Sequence, residues 1–248
     1  MGVRAERDDL PTVVAVGLLA YASADIAHHV LGHGGAYLAL GGRILSLTSV
    51  HVDCTVRGTA VDVAGPFANL IVGLLVGGAA SLVHGTPRLF FALACGFNLF
   101  WFSLQLAFSA ATRTDDFAWA LSEFHVSELL RYGLIALALV LYSQAVRVVR
   151  YLFIPFGPRP RVARMVWGPW FAAGIFACLT ALFDHHPWVA ISHYAAPQSW
   201  ALSVGLLFVP KSLDGGDATV IPRQTAWLLA ALFVVAASIL FLGRGFAV

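Results

Sequence analysis

The chain has 248 residues, of which 59% are hydrophobic and only 11% charged, with 15 Lys and Arg against 13 Asp and Glu and a net charge of +2. A soluble domain carries roughly 25% charged residues, so this composition excludes a water-soluble globule, and it equally lacks the polar or repetitive character of disorder, collagen or a coiled coil. The small net charge gives no case for a nucleic-acid partner, and Cys54, Cys95 and Cys178 are too far apart for a disulfide framework or a CxxC metal site. The expected fold class is an all-α polytopic membrane protein, one integral membrane domain over 1–248.

A bilayer core of about 30 Å needs roughly 20 apolar residues as a helix. Apolar stretches at 12–40, 64–83, 89–111, 127–151, 165–183 and 224–243 predict six membrane-spanning helices. Residues 187–209 are apolar but interrupted by Pro187 and Pro197, which reads as an interfacial or re-entrant segment, with a seventh span as the alternative. Between the first two helices, residues 43–62 interleave Ile44, Leu45, Leu47, Val50, Val52 and Val56 with polar residues. That pattern predicts short strands, a hairpin shielded from lipid by the helices or at the interface. Six spans place both termini on one side, and the arginines concentrated at 147–164 make that side cytoplasmic by the positive-inside rule.

The first helix carries Asp25-Ile26-Ala27-His28-His29-Val30-Leu31-Gly32-His33-Gly34-Gly35. Ionisable groups inside an apolar span are costly and mark functional sites. His29 and His33 stand at i and i+4 on one helix face, the spacing by which two imidazoles grip one metal ion in HExxH zinc sites. Asp25, one turn earlier, is placed to accept a hydrogen bond from the His29 nitrogen that does not bind metal. His28 is expected to project away, outside the ligand set, and Gly32, Gly34 and Gly35 to allow close helix approach. A third ligand must come from elsewhere: Asp115 and Asp116 after the third helix are the best placed, with His51, Asp53, Cys54 and His125 as alternatives.

These motifs in series resemble the site-2 protease (peptidase M50) family of intramembrane zinc metalloproteases. His29-Val30-Leu31-Gly32-His33-Gly34 resembles the family's H-E-L-G-H helix. Gly41-Gly42-Arg43-Ile44-Leu45-Ser46-Leu47 is similar to the glycine and strand that follow it, and Ala64-Gly65-Pro66-Phe67-Ala68-Asn69-Leu70 to its A-G-P-x-A-N-L helix start. Asn98-Leu99-Phe100, followed by Asp116-Phe117, resembles the third core helix. The resemblance covers about 20–120, a three-helix core with strand insertion at 12–120, and leaves 121–248 as accessory helices. It implies zinc as cofactor, His29, His33 and Asp116 as ligands (Asp115 as fallback), and Asn98 positioning substrate or a neighbouring helix. Val30 stands where the family has its catalytic Glu, and loss of a general base costs on the order of 10²–10⁴ in rate.

The expected function is therefore a membrane-embedded zinc-binding protein of site-2-protease type, a pseudoprotease or altered metallohydrolase acting on or binding transmembrane segments. The alternatives are an active protease with a substitute base, a non-catalytic subunit of a membrane complex, or a His-rich di-iron oxidase. The last rests on Asp184-His185-His186 and His193, which lack HxxHH spacing and read equally as an interfacial belt. The expected partners are membrane lipid and transmembrane helices of other proteins, the expected location the bacterial inner membrane.

Overall fold

The computed structural model describes residues 7–124, 126–210 and 218–247. Six of its helices are long and apolar enough to cross a membrane: α1 (Leu10–Ala39), α2 (Thr59–Leu82), α3 (Gly85–Thr112), α5 (Glu128–Phe156), α6 (Arg159–Ala181) and α7 (Thr225–Leu242). The short α4 (Asp116–Ser122) lies between α3 and α5. The protein is an all-α integral membrane protein with a small β insertion. A helix pairs its backbone groups within the segment, the condition for spanning a bilayer.

α1 starts where Asp9 caps it, accepting from the Thr12 amide at 3.0 Å and the Thr12 hydroxyl at 2.6 Å, with Pro11 in the first turn. Over Ala27–Gly34 the same helix widens to π geometry, with i→i+5 hydrogen bonds. Gly32 lies in this stretch against α2: a Cβ there would come within 2.5 Å of the Gly65 Cα. Of the three glycines expected to permit close approach, Gly32 makes the contact, whereas a Cβ on Gly35 would meet nothing within 4 Å.

α3 is the central helix, burying Phe97, Phe100 and Trp101 and packing against α1, α2 and α5. α5 and α7 turn Leu129, Leu139, Leu229 and Leu232 outward. Lipid tails are as apolar as leucine, so such faces rest against lipid without penalty, while close packing of small residues holds the interior.

β1 (Ile44–Leu47) pairs antiparallel with β2 (Val52–Cys54), as the expected hairpin, with a register irregularity between Ile44 and Ser46. The Thr48 hydroxyl closes the turn by accepting from the amides of Val50 and His51. A third strand, β3 (Phe246–Ala247), adds to the other edge of β1, giving the order β2-β1-β3.

The two ends of the bundle are fixed by hydrogen bonds. The Asp9 amide donates to the Ile221 carbonyl at 2.8 Å, the Ile221 amide to Asp8 at 3.0 Å, and the Gln224 amide to the Thr12 hydroxyl at 3.1 Å. Arg161, at the start of α6, grips Asp8 through Nε at 2.6 Å and reaches the Thr219 carbonyl at 2.8 Å. Residues 219–224 therefore lie at the N-terminal end, and β3 lies at the sheet end.

Between them, residues 187–208 run the length of the bundle beside α6. The Tyr194 ring is 6.4 Å from His51 at the sheet end, Trp200 and Trp170 exchange indole-to-carbonyl hydrogen bonds at mid-depth, and Leu207 and Pro210 lie against Arg159 and Arg164 at the far end. The passage is assembled from Pro187–Val189, π turns Ala190–Ala195 and Pro197–Ala201, and the 3₁₀ turn Val204–Phe208. Pro187 and Pro197 cannot donate in a regular helix, and the hydroxyls of Ser199 and Ser203 bond carbonyls one turn back.

This corrects the interfacial or re-entrant reading of 187–209, since the segment passes from one end to the other as the seventh-span alternative requires. It also corrects the placement of both termini on one side. Arg223 belongs with the N-terminal end and Arg244 with the sheet end; Arg4 and Lys211 lie outside the described residues.

Candidate metal centre

Three side chains from two elements, His28 and His33 of α1 and Asp116 of α4, meet at the sheet end. His28 Nε2 is 3.1 Å from Asp116 Oδ2, His33 Nε2 is 3.3 Å from the same oxygen, and the two Nε2 atoms are 3.2 Å apart. All three residues are buried, and among the described residues they form the one group of His, Cys, Asp or Glu side chains close enough to hold a metal ion. The π stretch explains the pairing: with one extra residue in the turn, His28 and His33, five apart, come to one side of α1.

The partners of these imidazoles fix their protons. Asn69 Nδ2 donates to the Ala24 carbonyl at 3.0 Å and to Asn98 Oδ1 at 2.9 Å, so Asn69 Oδ1 is an acceptor and takes the Nδ1–H of His28 at 2.6 Å. His33 Nδ1–H donates to the Val61 carbonyl at 2.9 Å, and a carbonyl can only accept. Both Nε2 atoms therefore turn lone pairs toward a carboxylate oxygen. Three acceptors at this separation repel one another unless a proton or a metal ion lies among them, so the group could hold a cation. Trp101 stacks on His28, ring centroids 4.7 Å apart, and holds its plane.

Asp116 is delivered by a strained turn: Arg113 (φ 61°) and Asp115 (φ 76°) both adopt positive φ, and the chain doubles back from α3 into α4. The Asp115 side chain accepts the Asp116 amide at 3.0 Å, and Gln105 Nε2 donates to Asp116 at 2.8 Å and to Asp115 at 3.2 Å. Burial, and then the neighbouring Asp116 carboxylate, push the Asp115 carboxyl up to about 6.

The ligand set expected from the four-residue spacing, His29, His33 and Asp116, is thus replaced in the geometry by His28, His33 and Asp116. His28, expected to project away, is in the cluster. His29 stands beside it, ring centroids 4.8 Å apart, with its Nδ1 3.1 Å from Asp25 Oδ1 as expected. Asn98 is fully buried behind Asn69 and accepts from its Nδ2, a contact with the neighbouring helix α2. Val30 is 40% exposed and lies outside the cavity lining. Of the alternative third ligands, His51 pairs with Asp53 at 3.2 Å away from the cluster, the Cys54 thiol bonds the Val56 carbonyl, and His125 lies outside the described residues. Gln105, Asn69 and Val61 were not anticipated as supports. Asn69 carries a signal, a polar amide in an uncharged span.

The cluster forms the floor of an open cavity of about 680 Å³, lined also by His29, Tyr37 and Glu123, and by Tyr194 and Gln198 from the 187–208 passage. Asp184 and His186 lie at this cavity, but His193 bonds Ser192 instead. The fold and site define an integral membrane protein whose buried His–Asp group could hold a metal ion beneath a wide cavity. Comparison with family models, with curated proteins and with solved structures finds no match.

Proposed function

We propose that the protein is a membrane-embedded zinc metallohydrolase of altered site-2-protease type, resident in the bacterial inner membrane. The observation that carries this reading is the separation of the three lone-pair atoms, 3.1, 3.2 and 3.3 Å. Tetrahedral zinc with bonds of about 2.0–2.1 Å spaces its ligands by roughly 3.3 Å. Two His and one carboxylate leave the fourth position for water or substrate, the arrangement of catalytic rather than structural zinc. When bound, zinc would acidify water or polarise a carbonyl there.

The insertion that makes the π turn also bears on the missing Glu. With His28 as first ligand, the residue that follows it is His29, not Val30. Asp25 accepts its Nδ1–H, which leaves Nε2 as the basic atom, and His29 lines the cavity. We assign His29 the proton-accepting role that Glu has in the family, with Asp25 as the positioning residue. The other members of the core are passive: Asn69 and Val61 hold the tautomers, and Gln105 steadies Asp116.

Arg7, Arg88, Arg147, Arg150, Arg159, Arg161, Arg164 and Arg223 gather at the N-terminal end, against Arg43, Arg57, Arg113, Arg131 and Arg244 toward the sheet end. The positive-inside rule then puts the cavity on the non-cytoplasmic face. The test is hydrolysis of a model transmembrane peptide by purified, zinc-loaded protein. The expected result is cleavage lowered on the order of 10²–10⁴-fold by His29→Ala with zinc retained. No cleavage by the wild type at full zinc occupancy would leave a metal-binding scaffold, the pseudoprotease reading.

A further inference from the structure

The three arginines at the start of α6 are placed differently. Arg161 is taken up by Asp8, through Nε at 2.6 Å. Arg159 and Arg164 have no carboxylate within ion-pair distance among the described residues. Both line a second groove, of about 540 Å³, between the start of α6 and the end of the 187–208 passage. The rest of its lining is apolar, Trp167 on α6 facing Leu207 and Pro210, and among the described residues no acid contributes to it. A guanidinium presents a planar fork of donors that fits a phosphate through paired hydrogen bonds.

A second observation concerns the surface below those charges. Arg164, Trp167, Phe171 and Ile175 follow one another at intervals of three or four residues, so they share one face of α6. Trp167, Phe171 and Ile175 are 49%, 54% and 52% exposed, and that face is turned to lipid. At 1.5 Å of rise per residue, Trp167 lies about 12 Å along the helix from Arg159, and Ile175 about 12 Å beyond it. The groove thus has a cationic mouth at the end of the bundle, a tryptophan at the depth where indoles anchor to the interface, and an apolar stripe leading away from it into the bilayer. A free anion would use the mouth alone and a neutral hydrocarbon the stripe alone. A phospholipid with net negative charge uses both, and basic pockets between membrane helices suit such headgroups.

We infer that this groove binds an anionic phospholipid, its phosphate between Arg159 and Arg164 and one acyl chain over Trp167 and down α6 past Phe171 and Ile175. The inference does not rest on the metallohydrolase reading, because the groove lies at the end of the bundle away from the metal group.

The probes are dioleoyl phosphatidylglycerol, dioleoyl phosphatidylcholine and inorganic phosphate, titrated into the purified full chain in detergent, with bound lipid per chain counted by native mass spectrometry. Phosphatidylglycerol is expected to bind on the order of tenfold more tightly than phosphatidylcholine, from two arginines near one anionic headgroup. Arg159→Gln combined with Arg164→Gln is expected to remove that preference, and Arg164→Gln alone to reduce it, each with an unchanged melting temperature. Arg147→Gln, an exposed position on α5 outside the groove, is expected to keep it. Trp167→Ala is expected to weaken both lipids by a similar factor, and excess inorganic phosphate to leave phosphatidylglycerol bound. Equal binding of the two lipids, displacement by phosphate, or a preference that survives the double substitution overturns the inference. So does a loss in Arg147→Gln as large as in the double variant, which would reduce the groove to general attraction of anions to a basic surface.

Discussion

His28 and His33 face each other across one π turn of α1, Nε2 to Nε2 at 3.2 Å, five residues apart in a helix whose apolar period gives no hint of the fifth residue. Each ring is held from behind by a single acceptor, Asn69 for His28 and the Val61 carbonyl for His33. The relationship makes the metal group a property of three packed elements, and the following outcomes depend on it.

Asn69→Leu removes the acceptor behind His28 while keeping the branched shape of the side chain. The ring is then free to rotate or change tautomer, and losing the hydrogen bond that orients a ligand lowers metal affinity about 10–100-fold. Competition with a zinc chelator measures it. Unchanged affinity would mean that the Asn98–Asn69–His28 chain does not hold the ligand.

Gly65→Ala places a Cβ 2.3 Å from His33 Nε2, and the ring must move. Zinc content is expected to fall well below one per chain. Gly78→Ala, whose added Cβ meets nothing within 4 Å, is the matched control on the same helix and is expected to keep its zinc.

Asp8 and Arg161 lock the other end of the bundle, with side chains 10% and 13% exposed. Burial opposes the charge on Asp8, but the Arg161 guanidinium and the Ile221 amide outweigh it, so its carboxyl lies below the ordinary 3.8. A depressed folded pKa means that the stabilisation is present above about pH 4 and lost as pH falls through the folded value. Asp8→Asn should lower stability by about 2 kcal/mol at pH 7 and show a shallower loss on acidification, read from detergent-solubilised melting curves between pH 3 and 7.

The six apolar helices were legible in the sequence because a lipid-spanning helix advertises itself by length and absence of charge. The β1–β2 hairpin was legible from its β-branched alternation. The passage at 187–208 was not, because Pro187 and Pro197 break the helical signal and its course is set by tertiary contacts, Trp200 on Trp170 and Gly205 on Phe100. The closest pair in the geometry, His28 with His33, differs by one residue from the pair the spacing suggests for a related reason: spacing arguments assume 3.6 residues per turn, and Ala27–Gly34 is a π stretch with Gly32 packed against Gly65. The adjacent histidines at 28 and 29 admitted either pairing with His33.

The seven passages put the termini on opposite faces. In sealed right-side-out vesicles, external protease should remove a C-terminal tag and spare an N-terminal one. Loss of both tags, or protection of both, would contradict the traverse of 187–208.

The most direct test of the account is zinc per chain, measured by mass spectrometry on purified wild type and on four alanine variants. About one zinc is expected in the wild type and in His29→Ala, and near none in His28→Ala, His33→Ala and Asp116→Ala. Zinc retained in His28→Ala and lost in His29→Ala would contradict it.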